Sequence, residues 1–254
     1  MEIFAHADTW VALLTLTFLE IILGIDNIIF ISISANKLPE NQVRKATLLG
    51  LALAMITRIL LLFSVSYLIS LKEPFLVISN SWFKTALTGQ SIILFLGGLF
   101  LLYKSTKEIR EKVEHTNEDE VIKSPKIISF TNVIFQIILI DIVFSFDSIL
   151  TAVGMTNGIN GALIIMVIAV VISIIIMMIF SKPISSFVNN NPTIQMLALS
   201  FLILIGFMLI TEGAHLSHTE IFNKTVGAIP KGYLYFAIAF SLGVEMLNLR
   251  IRKK

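Results

Sequence analysis

Long apolar segments recur along this chain and favour a bilayer as its surroundings. A membrane-spanning helix needs about 20 largely apolar residues, within a range of roughly 17 to 25. Seven segments meet this requirement: 10–34, 46–71, 87–103, 129–153, 159–180, 194–211 and 232–249. The composition agrees, since 56% of the 254 residues are hydrophobic and only 14% are charged. The sequence therefore predicts an all-α polytopic membrane protein with seven transmembrane helices.

Several classes of function are disfavoured by what the sequence lacks. Without cysteine, the chain cannot form disulfides, bind metal through thiolates or use cysteine catalysis. It has no Gly-rich phosphate loop, so ATP bound to this chain would not drive transport. The first residues, MEIFAHADTW, lack the basic start of a signal peptide, so we expect the first apolar segment to remain as a helix. We predict that the protein is not an enzyme, and that its partners are a metal ion and the lipid bilayer rather than nucleic acid.

The basic residues predict the orientation, because short cytoplasmic loops carry the excess of Lys and Arg. With the N-terminus outside, fourteen basic residues fall on the cytoplasmic side and four on the outer side. The cytoplasmic set is Lys37, Arg44, Lys45, Lys104, Lys107, Arg110, Lys112, Lys123, Lys126, Lys182, Arg250, Arg252, Lys253 and Lys254. The outer set is Lys72, Lys84, Lys224 and Lys231, while Arg58 lies inside the second predicted helix. We therefore predict an N-terminus outside and a C-terminus in the cytoplasm.

An acidic motif in the first predicted helix is echoed in the fourth. The segment LEIILGIDNIIF resembles IDIVFSFDSILT, with an acid, five residues, an Asp, a small polar residue and then branched apolar residues. The offset between the copies is 121 residues both for Glu20 with Asp141 and for Asp26 with Asp147. Three helices separate the copies, so the two begin on opposite sides of the membrane.

The repeated acidic motif predicts two inverted repeats of three helices each, followed by an added seventh helix. Transporters built from inverted repeats hold their substrate near the midplane, where the two halves meet. We expect a single transmembrane domain over residues 1–254. Its parts are repeat one at about 10–103, a cytoplasmic linker at 104–126, repeat two at about 129–211 and the seventh helix at 232–249.

The four acids need a partner, because a charge in the bilayer is costly. An Asp at the centre of a membrane helix costs roughly 2.5–3.5 kcal/mol on insertion scales. Four such groups would sum to on the order of 10 kcal/mol, comparable to the stability of a whole domain. Arg58 can neutralise only one of them, which leaves a formal balance of −3 if all four ionise. A dissociable divalent cation is the simplest remaining partner.

The types of ligand limit the metal. The spans offer carboxylate, amide, hydroxyl and backbone oxygens, without thiolate and without histidine. Such oxygen ligands suit Mg²⁺, Ca²⁺ and Mn²⁺ rather than Zn²⁺ or Cu²⁺, and ligand chemistry alone does not choose among the three. Our candidate metal ligands are Glu20, Asp26, Asn27, Asp141, Asp147 and Ser148, with Arg58 as a counter-ion.

The spacing of the first pair of acids predicts a local break in the helix. Positions six apart lie about 120° from each other around an ideal helix, so Glu20 and Asp26 cannot both face one ligand. Gly24 lies between them and Asn27 follows, and both residue types tolerate a break or offer local hydrogen bonds. We therefore predict a kinked or partly unwound segment around Gly24–Asn27 that lends backbone carbonyls to the site.

At these residues the sequence resembles the TerC family of integral membrane proteins. The resemblance covers nearly the whole chain, through LEIILGIDNIIFISI, LGGLFLLYKSTKEI, DIVFSFDSILTAVGM, MLALSFLILIGFMLI and IPKGYLYFAIAFSLGVEMLN in family order. It implies seven transmembrane helices in the bacterial plasma (inner) membrane and a link to manganese export and tellurium resistance. The family acids that match Glu20, Asp26, Asp141 and Asp147 are then the expected cation site. The chain resembles the short branch without cytoplasmic regulatory domains.

Other readings of the same residues stay open. The acids and Arg58 could form a buried polar network that orders the helices and transports nothing. Alternatively, the chain could be a membrane binding or assembly protein that holds a structural ion and recruits partners through Lys104–Lys126. In TEGAHLSHTE, Glu212, His215 and His218 recur every third residue, which could bind a metal from a helix but is also expected of an exposed loop. Gly97–Gly98 permits close helix contact, either within the chain or in a homo-oligomer.

Overall fold

The fold is described from a computed structural model that covers most of the chain. Its described residues are 7–64, 67, 69, 71–117, 129–156, 158–159 and 161–252. The side chains of residues 25, 26, 115–117 and 252 lie outside the description. The described helices are α1 Ala7–Ala35, α2 Glu40–Phe63, α3 Gly89–Asn117, α4 Phe130–Met155, α5 Ala162–Asn189, α6 Pro192–Leu216 and α7 Lys231–Arg252. The described strands are β1 Pro74–Ser79, β2 Phe83–Thr88, β3 Glu220–Ile221 and β4 Lys224–Thr225.

Six of the seven described helices, all except α3, are long and apolar enough to cross a membrane. Many of their exposed side chains are large and apolar, such as Phe18, Ile179 and Phe236, with exposures of 64%, 66% and 70%. Apolar surface on this scale is unusual on a protein that lies in water. The prediction of an all-α polytopic membrane protein is confirmed.

The second helix ends earlier than predicted. It was expected to continue to residue 71, but α2 ends at Phe63, where the Ser64 N–H donates to the Leu60 carbonyl at 3.0 Å. The segment that follows includes β1 and β2, which pair as an antiparallel hairpin. β3 pairs with β2 and with β4, completing a four-stranded sheet. Periodicity did not reveal this sheet, because β1 is fully exposed and its apolar run has no alternating polar face.

The third helix continues well past its predicted end at residue 103. The first part of the linker predicted at 104–126 is therefore helical, since α3 continues to Asn117. Charges four residues apart support this extension through ion pairs, at 2.8 Å for Lys104–Glu108 and 2.5 Å for Arg110–Glu114. A polar composition suggested a loop, whereas the spacing of the charges is that of a helix face. The remainder of the linker, from 118, lies outside the described residues until 129.

The predicted break at Gly24–Asn27 is absent. The helical assignment of α1 is continuous from Ala7 to Ala35. Gly24 serves close packing instead, because a Cβ at this position would overlap the Sδ of Met177, a buried residue of α5. The glycine therefore lets α5 approach the backbone of α1 directly, and the helical hydrogen bonds do not need to open.

The described chain divides into two compact units that cut across the predicted repeats. The first unit is Met1–Tyr67 with Lys126–Asn190, and so contains α1, α2, α4 and α5. Within it, α1 packs mainly on α5, while α2 packs mainly on α4. If α1 corresponds to α4 and α2 corresponds to α5, the α1–α5 and α2–α4 contacts are equivalent, because each pairs the first helix of one repeat with the second helix of the other. Two repeats related by a two-fold axis would make this pair of contacts.

The second unit is Leu68–Pro125 with Asn191–Lys254. Within it, α3 and α6 pack along their length, the strands form their sheet, and α7 contacts α6. The two long helices come close together at glycines. A Cβ on Gly98 would lie 2.5 Å from the Gly206 carbonyl oxygen and 2.8 Å from Cγ1 of Ile210. Gly98 is therefore used for a contact within the chain.

We expect Gly98→Ala to lower the stability of the protein by about 1–3 kcal/mol, because the added methyl group must push the backbones of α3 and α6 apart. A matched control is Gly243→Ala in α7, where nothing lies within 4 Å of the added Cβ. That change should raise stability by up to about 1 kcal/mol, since alanine is the better helix former. Thermal unfolding of both variants in the same detergent measures the difference. Equal midpoints would show that the α3–α6 approach is not tight.

Candidate functional site

A buried ion cluster lies in the first unit, centred on Arg58 of α2. The Arg58 residue is 2% exposed. Its Nη1 donates to Oε2 of Glu20 on α1, and its Nη2 donates to Oδ1 of Asp141 on α4 at 2.8 Å. Its Nε also donates to the same Asp141 oxygen at 3.2 Å. One guanidinium therefore bridges the first acids of both copies of the repeated motif.

The Asp141 carboxylate accepts hydrogen bonds from three further side chains. Asn27 donates from Nδ2 to Oδ1 at 3.0 Å. Ser145 and Thr57 donate their hydroxyls to Oδ2 at 3.2 and 3.4 Å. Both oxygens of this buried carboxylate are thus engaged, which is the condition for keeping a charge away from water.

Helix geometry explains why these particular residues meet. Residues seven positions apart on an α-helix project in directions that differ by only about 20°, so Glu20 and Asn27 share one side of α1. Asp141 and Ser145 are four residues apart and share one side of α4 by the same argument. Packing of α2 against both α1 and α4 then brings Arg58 between the two carboxylates.

The charges in the cluster do not cancel if both acids are ionised. Glu20 and Asp141 are 5% and 3% exposed, and they share one guanidinium. We predicted that Arg58 would neutralise one acid; its charge does so, but its contacts are divided between two. The formal balance of −1 leaves room for one more positive charge or a proton. In a low-dielectric interior, either one would be bound more strongly than at a surface.

The second acids of the two motifs are placed differently. Asp147 is half-buried, and its backbone carbonyl accepts from the hydroxyl of Thr151 at 3.0 Å. The side chain of Asp26 lies outside the description. Ser148 is buried and donates to the Ser145 carbonyl at 3.2 Å, within its own helix. Among the described residues, no group of three or more His, Asp and Glu side chains is placed to hold a metal ion. Convergence of all four acids on one ion therefore stays a prediction.

Two members of the cluster were not singled out from the sequence. Ser145 lies between the second pair of acids, and its signal is the spacing of four from Asp141. Thr57 precedes Arg58, and its one hydroxyl proton is shared between the Ala54 carbonyl of its own helix at 2.9 Å and Oδ2 of Asp141 at 3.4 Å. A hydroxyl beside a buried arginine is a weak signal, because Thr in membrane helices commonly bonds to its own backbone.

The motif at the end of α6 does not form a metal site in the part of the chain that is described. Glu212 and His215 lie within α6, whereas His218 follows the helix with a φ of 48°. Nδ1 of His215 lies 3.4 Å from the Val226 carbonyl oxygen. Glu212 and His215 therefore belong to the last turns of α6, and His218 belongs to the turn that joins α6 to β3.

Comparison with known proteins gives a consistent set of relatives. Residues 5–254 match the Integral membrane protein TerC family. The chain is 44% identical over 252 residues to a UPF0053 protein of Haemophilus influenzae, covering 99% of this chain and 98% of that protein. It is 46% identical over 247 residues to the UPF0053 inner membrane protein YgdQ of Escherichia coli K12, covering 97% and 95%.

Some relatives are much longer than this chain. A UPF0053 protein of Buchnera aphidicola is 45% identical over 249 residues, and this match covers 98% of the chain but only 44% of that protein. The chain thus spans less than half the length of such relatives. No solved structure matches the chain.

Proposed function

Because this chain belongs to the integral membrane protein TerC family, as a multi-pass inner membrane protein, we propose that it transports a divalent metal cation across that membrane. The observation that carries the proposal is the meeting of Glu20 and Asp141, from matching positions of two repeated motifs, on one buried guanidinium. Ionisable groups inside membrane segments most often serve ion pathways or proton relays. The oxygen-rich ligands suit Mn²⁺, which we propose as the substrate, ahead of Ca²⁺ and Mg²⁺.

We propose that transport is export by alternating access between the two inverted halves, with the N-terminus outside and the C-terminus in the cytoplasm. Arg58 can hold Glu20 and Asp141 together whenever no other cation does so. A divalent cation that reaches the site is attracted to these carboxylates, and it competes with the Arg58 guanidinium for the same oxygens. Asp26 and Asp147, the second acids, would complete the set of ligands with Asn27 and Ser148. A carboxylate released by the metal can take up a proton, which would couple export to proton entry.

We expect Asp147→Asn and Asp26→Asn each to lower Mn²⁺ flux by about 10–100-fold, because a neutral amide gives up the charge that binds a divalent cation. Proteoliposomes that contain a Mn²⁺-sensitive dye and carry a Mn²⁺ gradient would measure the flux. Asp8→Asn is the matched control, since Asp8 is an exposed acid in the first turn of α1. Flux that is unchanged in both site variants would remove these acids from the transport site.

A structural role is the rival to transport. The complete engagement of the Asp141 oxygens by Arg58, Asn27, Ser145 and Thr57 favours a network that orders helices, as in a membrane assembly protein. Isothermal titration with Mn²⁺ and the flux assay on the same preparation separate the two functions. Binding without flux under any gradient of metal or protons would support the assembly role and overturn the transporter.

A further inference from the structure

The apolar part of α3 is too short to cross a membrane by itself. Its largely apolar residues run from Gly89, directly after β2, to Tyr103, and the charged turns begin at Lys104. At 1.5 Å per residue, these roughly 15 residues span about 22 Å, whereas the hydrocarbon core is about 30 Å thick. Charged turns are costly in the hydrocarbon, so the missing length of about 8 Å falls at the Gly89 end of α3. The sheet that leads into α3 therefore begins below the level of the lipid headgroups.

The first strand of this sheet has the composition of a segment that contacts lipid. All six residues of β1 are exposed, and none of them is charged. Val77 is 66% exposed on one face of the sheet, while Leu76 and Ile78, on the other face, are 48% and 39% exposed. A strand that merely rests on the membrane surface would have only one face covered. Because both faces of β1 are apolar and exposed, immersion among lipids suits the strand better.

The open edge of β1 limits how deeply the strand can lie. Along an edge strand, the backbone N–H groups point alternately to the neighbouring strand and away from it. The Asn80 N–H donates to the Phe83 carbonyl at 2.8 Å, so the N–H groups of Val77 and Ser79 point away from β2. Open backbone groups are not tolerated in the hydrocarbon, so these two belong among the headgroups, where water and phosphate oxygens accept. Pro74, at the end of β1 nearer α3, has no N–H to satisfy.

The tip of the sheet carries side chains that are typical of a lipid interface. The Phe222 N–H donates to the Trp82 carbonyl at 2.8 Å, and their ring centroids lie 6.3 Å apart. Trp82 and Phe222 are 55% and 73% exposed. Tryptophan is enriched at membrane interfaces because its ring is apolar with one polar edge. Lys84, which pairs with Glu220 at 3.1 Å, and Lys224 are also exposed, and their ammonium groups complement the phosphates of lipid headgroups.

We propose that the four-stranded sheet is a lipid-binding element that completes the membrane crossing begun by α3. Its ligand is the phospholipid of the surrounding leaflet. β1 lies at the boundary between acyl chains and headgroups, while Trp82 and Phe222 at the tip lie among the headgroups, with Lys84 and Lys224 near the phosphates. With the N-terminus outside, this is the outer leaflet. The proposal concerns the second unit and does not depend on metal transport.

Tryptophan fluorescence can test the depth of the tip, because the chain has only two tryptophans. Trp10→Phe leaves Trp82 as the sole fluorophore. In proteoliposomes whose lipids are brominated near the top of the acyl chains, we expect its emission to fall by about half or more. The matched control places the sole tryptophan at the charged end of α3 through Trp10→Phe, Trp82→Phe and Arg110→Trp, since the Arg110 side chain is 77% exposed. The control should be quenched by aqueous acrylamide and not by the brominated lipid.

A single thiol gives a second measurement, on β1 itself, because the native chain has no cysteine. Val77→Cys replaces an exposed side chain, and a nitroxide attached to it reports its surroundings by electron paramagnetic resonance. We expect the ratio of its accessibility to oxygen, which concentrates in lipid, over that to an aqueous nickel chelate to be about tenfold higher than for Arg110→Cys. The same ratio at both positions would overturn the immersion of β1.

The fluorescence outcomes separate lipid from other coverings of the sheet. Quenching of Trp82 by acrylamide alone, to the same extent as in the Arg110→Trp control, would place the tip in water and overturn the proposal. Protection of Trp82 from both acrylamide and brominated lipid would also overturn it, since a second copy or another protein would then cover the tip. Quenching by the brominated lipid together with a lipid-like nitroxide ratio at Val77→Cys would support it.

Discussion

Arg58→Leu is expected to destabilise the protein by about 3–5 kcal/mol, enough to leave much of it unfolded or aggregated after extraction in detergent. The substitution removes the only guanidinium that bridges Glu20 and Asp141 in the described residues. Two buried carboxylates would then face each other without a counter-charge, which is the most costly way to break a buried ion network. Size-exclusion profiles and thermal unfolding in detergent would measure the loss.

Two further variants identify charge as the cause of that loss. Arg58→Lys keeps the positive charge but not the planar fork that reaches both acids, so it should recover only part of the stability. The triple variant Arg58→Leu, Glu20→Gln, Asp141→Asn removes all three charges together and should be more stable than Arg58→Leu alone. If Arg58→Leu unfolds at the same temperature as the native chain, the cluster does not hold the first unit together.

Asp141→Asn is expected to lower Mn²⁺ flux in proteoliposomes by about 100-fold, because it removes the charge that a divalent cation would bind while nearly preserving the shape of the side chain. The Arg58 guanidinium would remain paired with Glu20, so the fold should be disturbed much less than in Arg58→Leu. Flux and thermal unfolding should be recorded on the same preparation, so that a loss of transport is not mistaken for a loss of protein.

Ser145→Ala is the matched control for that substitution. It removes one hydrogen bond of 3.2 Å to Asp141 and keeps the carboxylate, so we expect a fall in flux of only a few-fold. Full flux in well-folded Asp141→Asn would show that this carboxylate is structural, and the rival assembly role would then be preferred.

Much of the fold could be predicted because the bilayer restricts the choices of the chain. Length and hydropathy located all seven described helices, and the acids with Arg58 indicated a buried charged site. The wrong predictions concern segments on which the bilayer does not impose these restrictions. The charged turns of α3 beyond residue 103 and the hairpin of β1 with β2 form part of the second unit, and their composition resembles that of ordinary loops. Outside the hydrocarbon region, hydropathy carries little information about backbone conformation.

The partners within the site could not be predicted from spacing alone. Sequence spacing showed that Glu20 and Asp26 face different directions, but which acid of each pair meets Arg58 depends on how α1, α2 and α4 pack. The prediction of a broken helix followed from requiring both acids to reach one ligand. The described cluster avoids that requirement, because Glu20 and Asp141 come from different helices and Asn27 lies on the same face as Glu20.

The exchanged pairing of α1 with α5 and of α2 with α4 has a consequence for biosynthesis. The packing partner of α1 begins at Ala162, more than a hundred residues after α1 ends at Ala35, so the ribosome must translate three further helices before that interface can close. Until then, the first hairpin leaving the translocon carries Glu20 and Arg58 on neighbouring helices, where they can neutralise each other during insertion. Asp141 arrives later, with α4, into a site whose guanidinium is already in the membrane.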